Sequence, residues 1–267
     1  MVESCVGKSV GEESDKLLSA VTLMNEKTEY TGVAIALLIF SVWATLLSFL
    51  LRLPIESIHP VLLTVLTLFQ TFLYTGLFVT AHDAMHGTVA PHHQRLNLWI
   101  GTIALAAYGL MSFNVLNKAH KQHHLHPASR FDPDFHDGEH KHFICWYVRF
   151  MSQYWNLWQW LGIAGVYRGL HYFGHIPELN LMFGWVIPSL LSSVQLFYFG
   201  TYLAHREVND TQKATSSINS IYRPFFWSLL TCYHFGYHRE HHDNPSVPWW
   251  KLPVVAKQSI QPELNLP

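Results

Sequence analysis

The chain has 267 residues and a formal net charge of -1, and only 13% of its residues are charged while 49% are hydrophobic and 15% aromatic. An ordinary soluble domain is roughly 25% charged, so this balance, with a mean hydropathy of +0.12, points to a membrane protein and excludes a basic nucleic-acid surface. The three cysteines, Cys5, Cys145 and Cys232, are far apart and odd in number, which gives neither a disulfide framework nor a Cys-x-x-Cys metal pair.

Residues 1–30 are polar and mixed in charge, with no basic start leading into an apolar core, so they read as a flexible cytoplasmic tail and not as a secretory signal. Val33 to Leu51 is an uninterrupted apolar run of about the ~20 residues that cross a bilayer. After a turn containing Arg52, Pro54, Glu56 and Pro60, a second run from Val61 to Ala81 completes a helical hairpin and delivers His82 and His86 to the membrane surface. Asn97 to Leu116 is apolar too. A full crossing there would put the next histidines on the wrong side of the bilayer, so the segment is expected to be interfacial or re-entrant, its backbone covered by protein. Residues 117–142 form a polar loop dense in His, Asp and Lys. Phe143 to Gly165 is expected as a third crossing with its aromatic ends in the interface and Arg149 snorkelling. Leu179 to Leu203 is a fourth, bent at Pro188, and Phe225 to Cys232 is too short to span.

The expectation is an all-α integral membrane protein. It has about four transmembrane helices, a cytosolic histidine cap and an interfacial or re-entrant segment, with one domain over 31–255 and a C-terminal tail over 256–267. With both termini and the histidine loops on one side, that side carries 14 of the 17 Lys and Arg, which makes it cytoplasmic by the positive-inside rule.

Three histidine clusters sit on that side. In His238-Arg239-Glu240-His241-His242, positions i, i+3 and i+4 share a helical face. His120-Lys121-Gln122-His123-His124 repeats the arrangement, and His82 and His86 lie one turn apart. These clusters hold eight of the chain's 19 histidines, more imidazoles than a single zinc or non-haem iron uses, and so suggest two metals. His205, directly after a crossing, is the first choice for an additional ligand. His234 and His126 are each a ligand or a partner of one. Asp83, Asp132, Asp134 and Glu240 are placed to orient imidazole N–H groups. His92, His93, His136, His140 and His142 read as surface loop histidines, and Trp249-Trp250 as headgroup anchors. The C-terminal cluster is not a zinc-protease motif, because Glu240 is misplaced for either HExxH or HxxEH. A transporter would carry its ligands inside the spans, and a soluble di-iron bundle would use Glu together with Glu-x-x-His, a pattern that none of the three clusters contains.

The order of one H-x3-H box and two H-x2-H-H boxes resembles the membrane fatty acid desaturase and hydroxylase superfamily. The linking words, His82-Asp83-Ala84-Met85-His86-Gly87, Asp132-Pro133-Asp134-Phe135, Phe199-Gly200-Thr201-Tyr202-Leu203 before His205, and His234-Phe235-Gly236-Tyr237-His238 through Pro248-Trp249-Trp250, are similar to those of the bacterial type of β-carotene ketolases. The likeness covers about residues 30–255, and Ala204 departs from it where proline is expected. The resemblance implies a di-iron centre, O2 as co-substrate and two electrons per turnover from a ferredoxin-type donor. It also implies a β-carotene substrate taken from the lipid bilayer and oxidised at ring carbon 4 through echinenone to canthaxanthin, with no catalytic side chain beyond the metal centre. An acyl-lipid desaturase or a carotenoid hydroxylase shares the boxes.

Overall fold

The computed structural model of the chain describes residues 30–206 and 219–264. All but one residue of the expected N-terminal tail lies outside them. Helix α1, Tyr30–Leu50, and helix α2, Pro60–Met85, are the expected hairpin and have the length and composition to cross a membrane. Pro60 opens α2 at a position where its missing N–H costs nothing, and His59 caps it by accepting from the Val61 N–H. Thr71 and Thr75 of α2 return their hydroxyls to carbonyls one turn back. The Thr75 hydroxyl is shared with Gln195 at 2.7 Å, so this polar group in the middle of the bundle is paired within the protein, as a lipid environment favours.

Helices α3, Gln94–Gly109, and α4, Phe113–Leu125, are bent from each other by 101°. Leu110 turns the chain in the left-handed region at φ 53. Both ends of this pair sit at the same end of α2. Asn97 at its start donates to the Ala84 carbonyl at 2.5 Å, and the ring of His120 near its end lies 4.5 Å from that of His82. In between, Tyr108 reaches Tyr74 halfway down α2. The pair therefore enters and leaves on one side, the re-entrant option. Gly101 permits the fold to close, because a Cβ there would strike Phe113 and Ala84. Gly101→Leu is expected to destabilise the protein by about 1–3 kcal/mol through overpacking, read as a lowered thermal midpoint in lipid nanodiscs. Gly165→Leu, where a Cβ meets nothing within 4 Å, should leave the midpoint unchanged.

The expected single crossing from Phe143 to Gly165 is corrected. It consists of α5, Phe143–Tyr154, and α6, Leu157–Tyr172, and neither reaches spanning length by itself. The break is local in origin. Asn156 accepts from the Gln159 N–H while the Gln159 side chain accepts from the Asn156 N–H, a capping box that starts a new helix inside an apolar run. Arg149 does not snorkel alone but pairs with Asp137 at 3.3 Å, on the histidine side.

Helix α7, Glu178–His205, is the third span. Asn180 fastens its start to the Leu50 and Leu53 carbonyls at the far end of the hairpin, and its other end carries His205 to the histidines. The helix is interrupted by two π turns, Met182–Val186 and Phe197–Tyr202. Pro188 follows the first of them, which accommodates the hydrogen bond that proline cannot make. The short α8, Phe225–Cys232, ends where Tyr233 and His234 both adopt positive φ, 47 and 64. That reversal returns the chain as α9, His238–Asp243. Trp249 does not anchor at a headgroup. It is buried against Tyr233, and its backbone N–H donates to Asp83 at 3.0 Å, clamping the C-terminal segment onto the first histidine pair. Residues from 256, expected as tail, begin inside α10, Leu252–Leu264, with Ala256 packed against Tyr237 and Leu252.

Candidate metal centre

Four elements bring the imidazoles together. The end of α2 supplies His82 and His86, α4 supplies His120, His123 and His124, α7 ends in His205, and α9 supplies His238, His241 and His242. Donor nitrogens of His82, His86, His120, His124 and His241 lie within 4.8 Å of one another, and those of His123, His238 and His242 form a second such group. His205 joins the second group through a 3.1 Å approach of its Nε2 to that of His238. The eight histidines of the three spaced clusters lie in these two groups, and His205, chosen for its place after a crossing, lies beside the second.

The geometry of the approaches tests whether these residues suit a metal. The Nε2 atoms of His86 and His120 are 2.6 Å apart, those of His124 and His120 3.1 Å, those of His124 and His241 3.1 Å, and those of His242 and His123 2.9 Å. Two donors about 2.1 Å from a common ion at right angles would stand about 3 Å apart. Neutral imidazoles that face lone pair to lone pair at this distance repel, and a shared cation removes the conflict. Charge state points the same way. Burial holds His238 and His241 well below the usual imidazole range, and neighbouring imidazoles push in the same direction; His86 is lowered to about 4, chiefly by burial. These rings are neutral at pH 7, the form that ligates. The donor set, all imidazole with carboxylates behind it, suits iron of the non-haem type.

The four carboxylates divide. Asp132 is buried and both its oxygens stand 2.9 Å from His123 Nδ1. The Nδ1–H therefore donates to it, leaving Nε2 to face the second group. Asp132 is itself fixed by the Ala128 and Asp134 backbone N–H groups, each at 2.8 Å. Asp83 lies 3.4 Å from His82 Nδ1, but its better bond is to Trp249. Asp134 is 3.9 Å from His123 and receives the Tyr154 hydroxyl. Glu240 does not orient an imidazole. It accepts from Ser220 and from Tyr222 at 2.6 Å, tying the 219–222 strand of chain to the box.

Two expected candidates stand apart. His126 is exposed beside Phe131. His234 is fully buried among Phe225, Tyr237 and Trp249 with Nδ1 on the Ser228 hydroxyl, because the positive φ at 234 turns it off the face shared by 238, 241 and 242. His136, read as a surface histidine, is buried against Phe135 and Trp146. Its neighbours Phe135 and Trp146 were the available signal.

Sequence spacing did not reveal what lies on the membrane side of the imidazoles. A largely apolar cavity runs between α2, α5 and α7, lined among others by Phe78, Met85, Phe150, Leu196 and Phe197. It ends on His82, His120, His123 and His238. Tyr154 and Trp155, at the end of α5, are also in its wall. Such a lining suits an apolar group placed against the imidazoles.

Comparison with known proteins agrees with this arrangement. The fatty acid desaturase family model matches residues 153–265. A β-carotene 4-ketolase of Protosiphon botryoides is 38% identical over 259 residues, 86% of this chain and 65% of its own length. A zeaxanthin 4-ketolase of Chlamydomonas reinhardtii is 37% identical, covering 91% of this chain and 57% of its own. A β-carotene ketolase of Paracoccus sp. strain N81106 is 36% identical over 239 residues, 88% of this chain and 96% of its own. The chain thus spans somewhat under two thirds of the algal relatives and nearly all of the bacterial one.

Proposed function

The chain belongs to the β-carotene ketolases of the fatty acid desaturase superfamily, and on that premise we propose that it converts the ring methylene at carbon 4 of β-carotene to a ketone, giving echinenone and then canthaxanthin. The observation that carries this reading is the apolar cavity whose lining includes the converging imidazoles of His82, His120, His123 and His238. In each round one C–H bond is replaced by C–OH, O2 is reduced with two electrons and two protons, and water is released. After the second round the geminal diol loses water to leave C=O.

His82, His86, His120, His124 and His241 would hold one iron ion, and His123, His205, His238 and His242 the second. The chemistry supplied by a bound iron pair, with O2 and external electrons, is oxidation of an allylic C–H bond that no acid or base can cleave. The chain's own residues do the rest. Asp132 sets the His123 tautomer, and Trp249 holds Asp83 and so the end of α2. Phe78, Phe150, Leu196 and Phe197 keep the cavity apolar and exclude water. A bilayer-dissolved C40 hydrocarbon would enter laterally between the helices. No side chain is required as nucleophile.

The histidine face and both termini are proposed to be cytoplasmic. Among the described residues, Arg95, Lys118, Lys121, Lys141, Arg149 and Arg239 belong to helices and loops at the histidine end, whereas Arg52 lies in the turn at the other end, a bias that the positive-inside rule converts into orientation. Electrons would come from a reduced ferredoxin-type donor on that face.

Expression in a host that accumulates β-carotene tests the function directly. Pigments whose mass reports CH2 becoming C=O at one or both rings are expected by chromatography and mass spectrometry. Unchanged β-carotene, with the protein and a reductant present, would sink the reading and direct attention to acyl-lipid desaturation, where the product gains no oxygen. Because one relative is named for zeaxanthin, a host making hydroxylated rings belongs in the same trial.

A further inference from the structure

Ketone formation at one carbon asks the protein for something that hydroxylation alone does not. After the first round the ring carries a hydroxyl group, and an apolar cavity disfavours that polar group unless it finds hydrogen-bond partners there. A once-oxidised ring would then leave before the second round. The cavity wall contains a donor and an acceptor that suit such an oxygen. The indole nitrogen of Trp155 is shielded from solvent and has no hydrogen-bond partner. Among the described residues it is the only side chain of that wall with an orphaned buried polar atom. Beside it in sequence, Tyr154 gives its hydroxyl proton to Asp134, which leaves the phenolic oxygen with lone pairs to accept. Asp134 lines the same cavity and stands 3.9 Å from His123, so this polar corner adjoins the imidazoles. Two other hydroxyls of that wall have partners of their own, Ser193 with Tyr147 at 2.6 Å and the Leu190 carbonyl at 2.8 Å, and Tyr108 with Ser192 at 3.4 Å.

We propose that Tyr154 and Trp155 form a polar subsite that holds the hydroxyl of the once-oxidised ring, Trp155 N–H donating to it and Tyr154 Oη accepting from it, and so keeps the same carbon at the metal centre for the second oxidation. The inference rests on the ketolase reading above. The step it serves is alcohol plus O2, two electrons from the external reductant and two protons, giving geminal diol and water, then loss of water to the ketone. The two residues position the substrate and supply none of these electrons or protons.

The test uses the full chain with its metal, in two arms. In β-carotene-accumulating cells, Tyr154→Phe and Trp155→Phe are expected to raise the ratio of 4-hydroxy to 4-keto pigment about five- to tenfold, the effect of one neutral hydrogen bond. In nanodiscs without O2 or reductant, quenching of tryptophan fluorescence compares binding of the 4-hydroxy carotenoid with that of β-carotene. The wild-type preference for the alcohol should fall by a similar factor in each variant, a readout that a merely structural loss would not move selectively. Trp155→Phe carries the test alone if Tyr154→Phe lowers iron content through Asp134, since Trp155 makes no bond to the carboxylates behind the imidazoles. Unchanged product and binding ratios in a wild-type background that makes ketones would overturn the subsite and leave the ketolase reading intact. Variants that alter only selection of 3-hydroxylated rings would also overturn it, because the corner would then read a different oxygen. A wild type that leaves β-carotene unchanged would instead remove the ketolase reading itself.

Discussion

Replacing His241 by alanine is expected to reduce keto-carotenoid formation to background, by more than ~100-fold, while the protein still accumulates in the membrane. His241 is buried, and its Nε2 lies 3.1 Å from that of His124, in the group that also contains His82, His86 and His120. Removing it takes one donor from the group while the spans that insert the chain, α1, α2 and α7, are untouched. Changing only an outer partner of a ligand costs 10–100-fold in affinity or activity, so loss of a ligand itself should cost more. Iron per protein, measured by mass spectrometry on purified nanodiscs, should fall in parallel. His126→Ala is the comparison, because His126 is exposed and outside both groups. Retained activity in His241→Ala would remove the five-imidazole group from the mechanism, and equal losses in the two variants would mean that any histidine of this face matters in the same way.

Asp132→Asn should weaken iron retention about 10–100-fold, with a matching loss of product at limiting iron. The carboxylate accepts from His123 Nδ1 through both oxygens and receives the Ala128 and Asp134 N–H groups. An asparagine keeps one acceptor but presents an N–H in place of the other. His123 can then turn its lone pair toward the amide and its N–H toward His242, the wrong tautomer for ligation. Competition with a chelator reads the change. Asp137→Asn, at an exposed residue bonded to His140 and Arg149, should leave retention unaltered. Equal retention in both variants would mean that the His123 tautomer is set by something other than Asp132.

Much of this protein is legible because its two strongest signals are local. An apolar run of spanning length, such as those in α1 and α2, inserts by composition alone, and i, i+3, i+4 histidines share a helical face whatever the rest of the chain does. Demanding that His82, His120, His205 and His241 meet then turns a parity argument into topology. It identified the stretch from Asn97 to Leu116 as unable to cross, and the 101° bend between α3 and α4 is the physical form of that constraint. The run from Phe143 to Gly165 carries a local signal of its break as well, since Asn156 and Gln159 form a capping pair inside it. Reading hydropathy across it merged two helices into one.

Other features had no local signature. His234 lies one turn before His238 in a helical reading, yet positive φ at Tyr233 and His234 places the helix start after it. Trp249 looked like an interfacial anchor by type, and only the return of the chain past Tyr233 buries it and gives its N–H to Asp83. Glu240 sits within the third box, but the residues that claim it, Ser220 and Tyr222, come from an unrelated stretch. The sequence by itself determined three of the spans and the helical face that the histidines of each cluster share, because each follows from the period of one helix or the thickness of one membrane. Tertiary structure alone decided how nine imidazoles divide into two groups, which carboxylate orients His123, and that Tyr154 and Trp155 face the same cavity as the imidazoles. Those relations join residues from different elements, and only packing fixes their distances.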